Sequence, residues 1–309
     1  MNKALFINGR WQAASGPALP PVVDSYSGVP CADFHSASIE EVHSAVRAAS
    51  SALGAWSATP LDARIALVRK IADGLRRRSA ELAKMISSEV GMPAKLSGRI
   101  QVGAPIEAWG MYADLAEKLV WEERVGHSLV RQVPVGVVAC ITPWNYPLHQ
   151  ITGKVAPALL AGCTVVLKPS ELAPASARAL AEAVEEARLP AGVFNLLHGA
   201  GSVVGEALVS HSDVDMVSFT GSTRAGQHIA EVCARTTKRV SLEMGGKSAA
   251  LVLPGADLAQ ALKATLGSCF LNSGQTCSAT TRLLIQKEAY QEAVRLITEI
   301  NKTNLDVAF

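Results

Sequence analysis

From Gly136 onward the chain repeats one pattern: a short β-favouring run, a turn rich in glycine, proline or serine, and an amphipathic stretch long enough for a helix. The runs are Val137–Ile141, Thr164–Leu167, Val193–Leu197, Asp215–Phe219 and Arg239–Leu242. Strands this apolar need cover on both faces, and a helix between each pair returns the chain to the same end of the sheet. The pattern predicts βαβ units: an α/β fold with an open, parallel, Rossmann-like sheet and helices on both faces. Sheets of that kind bind nucleotides beyond the carboxyl ends of their strands.

The segment before Gly136 is different in texture. Residues 4–30 read as short strands with turns at Asn8-Gly9 and Ser15-Gly16-Pro17, suited to an N-terminal hairpin laid over a larger domain. Ser38, with Glu41 three residues on, forms a capping-box signature, and Val42, Val46 and Ala49 recur on one helical face behind it. The same period continues from Leu61 to Val90, through Ile65, Val68, Ile71 and Leu75, then Leu82, Met85 and Ile86, with a stop at Gly91 and Pro93. A further helix is expected over 98–119. Residues 119–133, β-favouring, broken by Gly126 and charged at alternate positions, read as an exposed hairpin.

Beyond Glu243, the stretch Met244-Gly245-Gly246-Lys247-Ser248 gives a flexible crossing into a second, incomplete α/β domain. Its expected elements are a strand Ala249–Leu253, a helix from Asp257, a polar loop Phe270–Ser278, a strand Arg282–Ile285 and a helix Lys287–Ile300. Residues 1–242 are thus assigned to a nucleotide-binding domain and 243–309 to a partial catalytic one.

With 309 residues, 49% of them hydrophobic and 18% charged, the chain can bury a large core, and its length fits two domains. A formal net charge of +2, with 29 basic residues spread along the sequence, leaves no footprint for nucleic acid or a membrane surface. The cluster Arg76-Arg77-Arg78 falls in a helical pattern and reads as a solvated face. Cys31, Cys140, Cys163, Cys233, Cys269 and Cys277 lack both C-x-x-C pairing and the histidine spacing of a zinc site, so they read as reduced thiols and no metal is expected. The N-terminus lacks a signal peptide's apolar region, and no apolar run of about eighteen residues occurs. A cytoplasmic protein without nucleic-acid or membrane partners is expected.

Several short motifs could carry chemistry. Thr142-Pro143-Trp144-Asn145-Tyr146-Pro147 follows the first sheet strand and its last residue, Ile141. Two prolines stiffen the turn, so Asn145 is either a preorganised donor to an oxyanion or a helix cap. Lys168-Pro169-Ser170-Glu171 ends the second strand, where a cation and a carboxylate could hold a ribose or simply form a turn. Gly199-Ala-Gly201-Ser-Val-Val-Gly205 and Gly221-Ser222-Thr223-Arg-Ala-Gly226 each follow a strand and open a helix. Glycines there let backbone approach a phosphate, and Ser222 sits where a cap would. Neither is G-x-G-x-x-G in register, so each is weak alone. Glu243, in an otherwise apolar crossover, is either a general base for water or a surface carboxylate. Cys277 stands apart from a buried small hydrophobe because Asn272, Ser273, Gly274, Gln275 and Thr276 make a poor core strand, while a thiol in a polar loop is a natural nucleophile.

As an ordered set, Pro143-Trp-Asn-Tyr-Pro147, Lys168-Pro-Ser-Glu171, Phe219-Thr-Gly-Ser-Thr223, Glu243-Met-Gly-Gly-Lys247 and Asn272-Ser-Gly-Gln-Thr-Cys277 resemble the aldehyde dehydrogenase superfamily, over nearly the whole chain. Met244 stands where leucine is more usual, a volume-tolerant exchange. The resemblance implies oxidation of an aldehyde to a carboxylic acid, with Cys277 as nucleophile, Asn145 and the Cys277 backbone N–H as oxyanion donors, and Glu243 as the base that hydrolyses the thioester. Lys154 resembles a lysine the family places near the site. The cofactor residues implied are Ile141, Trp144, Lys168, Ser170, Glu171, Gly201, Gly205, Phe219, Thr220, Gly221 and Ser222. Glu171 leans the choice toward NAD, with NADP possible. The hairpin near 119–133 is implied in subunit contact, hence a homo-oligomer. Family members continue further, including a Glu-x-Phe-Gly-Pro motif that grips the nicotinamide ribose, and the resemblance therefore implies a truncated member, weakly active or inactive. A non-catalytic nucleotide-binding remnant and a thiol esterase are the alternatives.

Overall fold

The computed structural model describes residues 5–305. Residue 4, where the strand reading starts, and 306–309, the end of the last segment, lie outside the described residues. The chain forms two compact units, Met1–Glu243 and Met244–Phe309.

The first unit is built on a seven-stranded sheet. Its strands lie side by side in the order Arg239–Met244, Met216–Gly221, Val137–Ile141, Thr164–Lys168, Phe194–Leu196, Leu5–Ile7, Arg10–Gln12. Val137–Ile141 runs parallel to both its neighbours, with Ile141 opposite Lys168 on one side and Phe219 on the other. Its residues alternate between two cores: Val138 and Cys140 pack with the helices Leu61–Arg77, Ala104–Lys118, Pro147–Leu160 and Ala175–Ala187, and Val137, Ala139 and Ile141 with Ile39–Ser57 and Thr223–Ala234. All five are buried, which is why this strand shows no polar alternation.

The capping box on Ile39–Ser57 forms: the Glu41 N–H donates to Ser38 Oγ at 3.3 Å and the Ser38 N–H to Glu41 Oε2 at 2.7 Å. Elsewhere the local structure departs from the periodic reading. The hairpin Leu5–Gln12 turns through Asn8 (φ 51°) and Gly9 (φ 74°), both left-handed, and Phe6 pairs with Leu196, so it extends the sheet rather than lying over it. The stretch Leu61–Val90 is two helices, Leu61–Arg77 and Ser79–Val90, meeting at Arg78. Arg76-Arg77-Arg78 is not simply solvated. Arg77 and Arg78 both bind Glu186 on the helix Ala175–Ala187, because the junction turns them toward that neighbour. The expected helix near 98–119 begins as a wide π-turn, Ser97–Gly103, before Ala104–Lys118. Pro105, which lacks an N–H and crowds the carbonyl four residues back, accounts for the widening.

Glu122–Val125 and Ser128–Arg131 form an antiparallel ribbon exposed along its whole length. In the second unit Ala249–Leu251 and Arg282–Leu284 pair in parallel. The helix Leu258–Phe270 is capped by Asp257, whose Oδ1 accepts from the Gln260 N–H at 3.0 Å, and Tyr290–Leu305 is the last helix.

Candidate active site

Sequence order along the sheet reverses at Val137–Ile141: the next two strands lie on one side of it, and Met216–Gly221 and Arg239–Met244 on the other. Connections leave that point in opposite directions, which opens a crevice beyond the strand ends. A cleft of about 620 Å³ occupies it, lined by Ile141, Gly201, Ser202, Gly205, Glu206, Val209, Phe219, Arg224, Ala225, His228 and Ile229. Its floor is apolar, and glycine and serine lie along one wall.

Local sequence explains the wall. A side chain at Gly201 would meet nothing within 4 Å, so the position is open cleft. Gly205 lies against the Lys168 stem, 3.9 Å from where its Cβ would be. At Gly221 a Cβ would sit 2.4 Å from the Phe219 ring, which folds back beneath that glycine. Thr220, buried on the same strand, donates its hydroxyl to Gln150 Oε1 at 3.0 Å. Ser222 caps Thr223–Ala234: its Oγ accepts from the Ala225 N–H at 3.2 Å, leaving the hydroxyl proton for a ligand.

At the adjoining strand end Lys168 is only 2% exposed, and its ammonium donates to the Pro169 carbonyl at 2.9 Å and to Glu171 Oε2 at 3.3 Å. Burial lowers its pKa, and the Glu171 carboxylate works against that shift. Ser170 Oγ accepts from the Leu172 N–H at 3.2 Å, which folds the turn and leaves Glu171 half-exposed at its tip. Open glycines, a capping serine, an apolar slot and a carboxylate beside a fixed cation suit a dinucleotide's phosphates, base and ribose.

The turn after Ile141 is anchored from below. Gln101, fully buried in the π-turn, donates to the Asn145 carbonyl at 2.9 Å, and His149 Nε2–H to the Ile100 carbonyl at 2.6 Å. Asn145 is half-buried and Trp144 is 37% exposed, outside the cleft lining given above. One helix further, Lys154 is buried, and desolvation lowers its pKa while Cys140 and Glu243 oppose that shift. Its neighbour Cys140 is buried in the sheet, and its thiol is pushed up to about 12, so it is inert. Glu243 lies in the strand Arg239–Met244, exposed and close enough to Lys154 for their charges to interact. The strand Arg239–Met244 thus takes in Glu243 and Met244, the first residue of the stretch read as a flexible crossing.

In the second unit the loop before Cys277 is sharply built. Asn272, Ser273 and Gly274 all take positive φ (54°, 57° and 78°), a conformation costing roughly 1–2 kcal/mol at the serine. Hydrogen bonds compensate. Gln275 Nε2 donates to the Asn272 carbonyl at 2.9 Å, and Thr276 Oγ1 to the Leu271 carbonyl at 3.2 Å. Asn272 is buried, whereas Cys277 stands exposed on the following turn. Cys269, a helical residue, is half-buried.

The sequence reading missed Gln101, Gln150, Glu206, Arg224 and His228. Arg224 and His228 are four apart and share a helix face, a signal the sequence does carry; the pairing of Glu206 with His228 exists only through the fold.

The fold and cleft define an α/β protein of the nucleotide-binding type. The chain belongs to the aldehyde dehydrogenase family, whose model matches residues 11–305. It is 41% identical over 295 residues to 3-succinoylsemialdehyde-pyridine dehydrogenase of a Pseudomonas species, covering 95% of this chain and 62% of that protein. It is 40% identical over 301 residues to betaine aldehyde dehydrogenase 1 of Oryza sativa, covering 93% and 59%. Among solved structures, aldehyde dehydrogenase C of Pseudomonas syringae, a mutant complexed with NAD+ and octanal, superposes with a TM-score of 0.94 at 41% identity, over 96% of this chain and 61% of that one. The chain thus spans about three fifths of the length of the relatives it matches. Among the described residues no helix is long and apolar enough to cross a membrane, and no cluster of metal-ligating side chains occurs.

Proposed function

We propose that this chain carries the cofactor-binding and nucleophile-bearing machinery of an aldehyde oxidation. Met1–Glu243 serves as the dinucleotide domain and Met244–Phe309 holds the nucleophile. The observation that carries the reading is the exposed Cys277 thiol, displayed by a polar loop that turns through three successive left-handed residues, Asn272, Ser273 and Gly274.

Bound NAD, or NADP, supplies the hydride acceptor. The glycines of 201–205 admit the phosphates, the Ser222 hydroxyl donates to them, Lys168 and Glu171 hold the adenosine ribose, and Ile141 and Phe219 line the groove. The Cys277 thiolate adds to the aldehyde carbon, forming the C–S bond while the carbonyl π pair moves to oxygen. The Asn145 amide and the Cys277 backbone N–H hold that oxyanion. Loss of hydride from the same carbon re-forms the carbonyl as a thioester on Cys277. Glu243 takes a proton from water, the resulting hydroxide adds to the thioester, and the Cys277 thiolate leaves with its electron pair, giving the carboxylic acid. Lys154 lies close enough to Glu243 for their charges to interact, which places a cation near that base. The exposed ribbon of 122–131 offers a surface for subunit contact, and the setting is a cytoplasmic one.

The test is formation of reduced cofactor, followed by absorbance at the dihydronicotinamide band, with a panel of aliphatic and semialdehyde substrates. Cys277→Ala removes it and Cys269→Ala does not. Equal rates in the wild type and Cys277→Ala overturn the assignment.

A further inference from the structure

Within the cleft one arrangement is not explained by binding phosphates or ribose. Glu206 begins the short helix that follows the 201–205 turn, and His228 lies on the neighbouring helix Thr223–Ala234. His228 Nε2–H donates to Glu206 Oε2 at 2.7 Å, which ties the two helices across the cleft. Both residues line it, together with the apolar side chains of Val209, Ala225 and Ile229. The second carboxylate oxygen, Oε1, meets only the Ser210 hydroxyl, at 3.5 Å, and so keeps acceptor capacity.

Along Thr223–Ala234 the groups are ordered by function. Ser222 caps the helix at the end proposed for the phosphates, Arg224 follows within the first turn as a cation available to them, and His228 comes one turn later. The His228–Glu206 pair therefore lies beyond the proposed phosphate position, beside apolar side chains that suit a heterocyclic base. Gly205, the residue before Glu206, lies against the stem of Lys168, so the slot adjoins the residues assigned above to the adenosine ribose and takes the base of that nucleoside.

We propose that Glu206, held in place by His228, reads the exocyclic amino group of adenine and makes the chain selective for adenine dinucleotides over purines with a carbonyl at that position. The proposal rests on the cofactor reading given above. An ionised carboxylate only accepts hydrogen bonds. An amino group donates to Glu206, whereas a carbonyl oxygen at the same position only accepts and faces a like partial charge. One charge-assisted hydrogen bond at a half-exposed rim is worth about tenfold in affinity.

Calorimetric titration of the full chain with NAD and with nicotinamide hypoxanthine dinucleotide tests this, because the first carries an amino group at that position and the second a carbonyl beside a protonated N1. The wild type binds NAD about tenfold more tightly. Glu206→Gln, whose side-chain amide both donates and accepts, brings the two affinities to within about twofold. His228→Ala, which frees the carboxylate from its tether, gives an intermediate ratio. Equal wild-type affinities, or a Glu206→Gln variant that weakens both dinucleotides by one factor, overturn the proposal and leave the cofactor reading standing. No binding of either at millimolar concentration overturns the cofactor reading and the proposal with it.

Discussion

Gly199 and Gly201 are two residues apart in the same turn, yet replacing each with alanine has opposite expected consequences. Gly199 takes φ +153°, and a Cβ there would lie 2.2 Å from Val204 Cγ2 and 2.7 Å from Ser36 Oγ. Val204 is fully buried and Ser36 nearly so, so neither can yield into solvent. Strained backbone costs about 1–3 kcal/mol and overpacking a similar amount, which puts Gly199→Ala at about 3 kcal/mol of destabilisation. For a unit of this size that lowers the melting temperature by about 6–12 °C. Gly201 has no positive φ, and a methyl there touches nothing within 4 Å. Gly201→Ala should melt within about 2 °C of wild type, since glycine-to-alanine at a compatible helical position changes stability by under about 1 kcal/mol. Its methyl projects into the cleft where backbone must approach phosphate, and NAD affinity falls about tenfold or more. Differential scanning fluorimetry and calorimetric titration read the two effects separately. A Gly199→Ala protein as stable as wild type, or a Gly201→Ala protein that binds NAD normally, refutes the geometry of this turn.

Lys168→Met removes a buried ammonium with incomplete partners, so stability holds or rises by about 1 kcal/mol while dinucleotide affinity drops; a large fall in melting temperature would contradict this. Ser222→Ala loses a helix cap worth about 1 kcal/mol and weakens NAD binding beyond what that loss explains, measured by urea titration beside calorimetry. His198 is buried and its pKa is depressed from 6.5 to about 3, chiefly by desolvation and secondarily by Lys168. The folded state therefore keeps His198 neutral where the unfolded state protonates it. Its contribution to stability is complete above pH 6.5 and is lost as pH falls toward 3. His198→Gln should show a shallower decline of urea stability across that range, and an unchanged slope would show that His198 is not the group responsible.

What was legible in the sequence was whatever a short window encodes. The strand Val137–Ile141 announced itself because both faces are buried, and Ser38 with Glu41 made a local capping box that the fold did not need to supply. Ser222 was readable as a cap for the same reason. Boundaries set by tertiary contact were not readable. The break at Arg78 depends on Glu186 across a helix interface, and the placement of Leu5–Ile7 as a sheet strand depends on its pairing beside Leu196. In the site, the glycine and lysine motifs were visible because backbone approach and charge demand those residue types. Gln101 under Asn145, and Glu206 opposite His228, were hidden: each partner is an ordinary polar residue until the fold brings them together. The three left-handed residues before Cys277 were half-visible, since Asn-Ser-Gly permits that conformation without requiring it.

In the proposed reaction Cys277 carries the acyl group and Glu243 releases it. Peptide mass spectrometry of the Glu243→Gln protein, mixed with NAD and an aldehyde and quenched in acid, tests both halves at once. The expected result is an acyl group of the aldehyde's carbon skeleton on the peptide containing Cys277, at higher occupancy than in wild type. An unmodified Cys277, or an acyl group on a different cysteine, would contradict it.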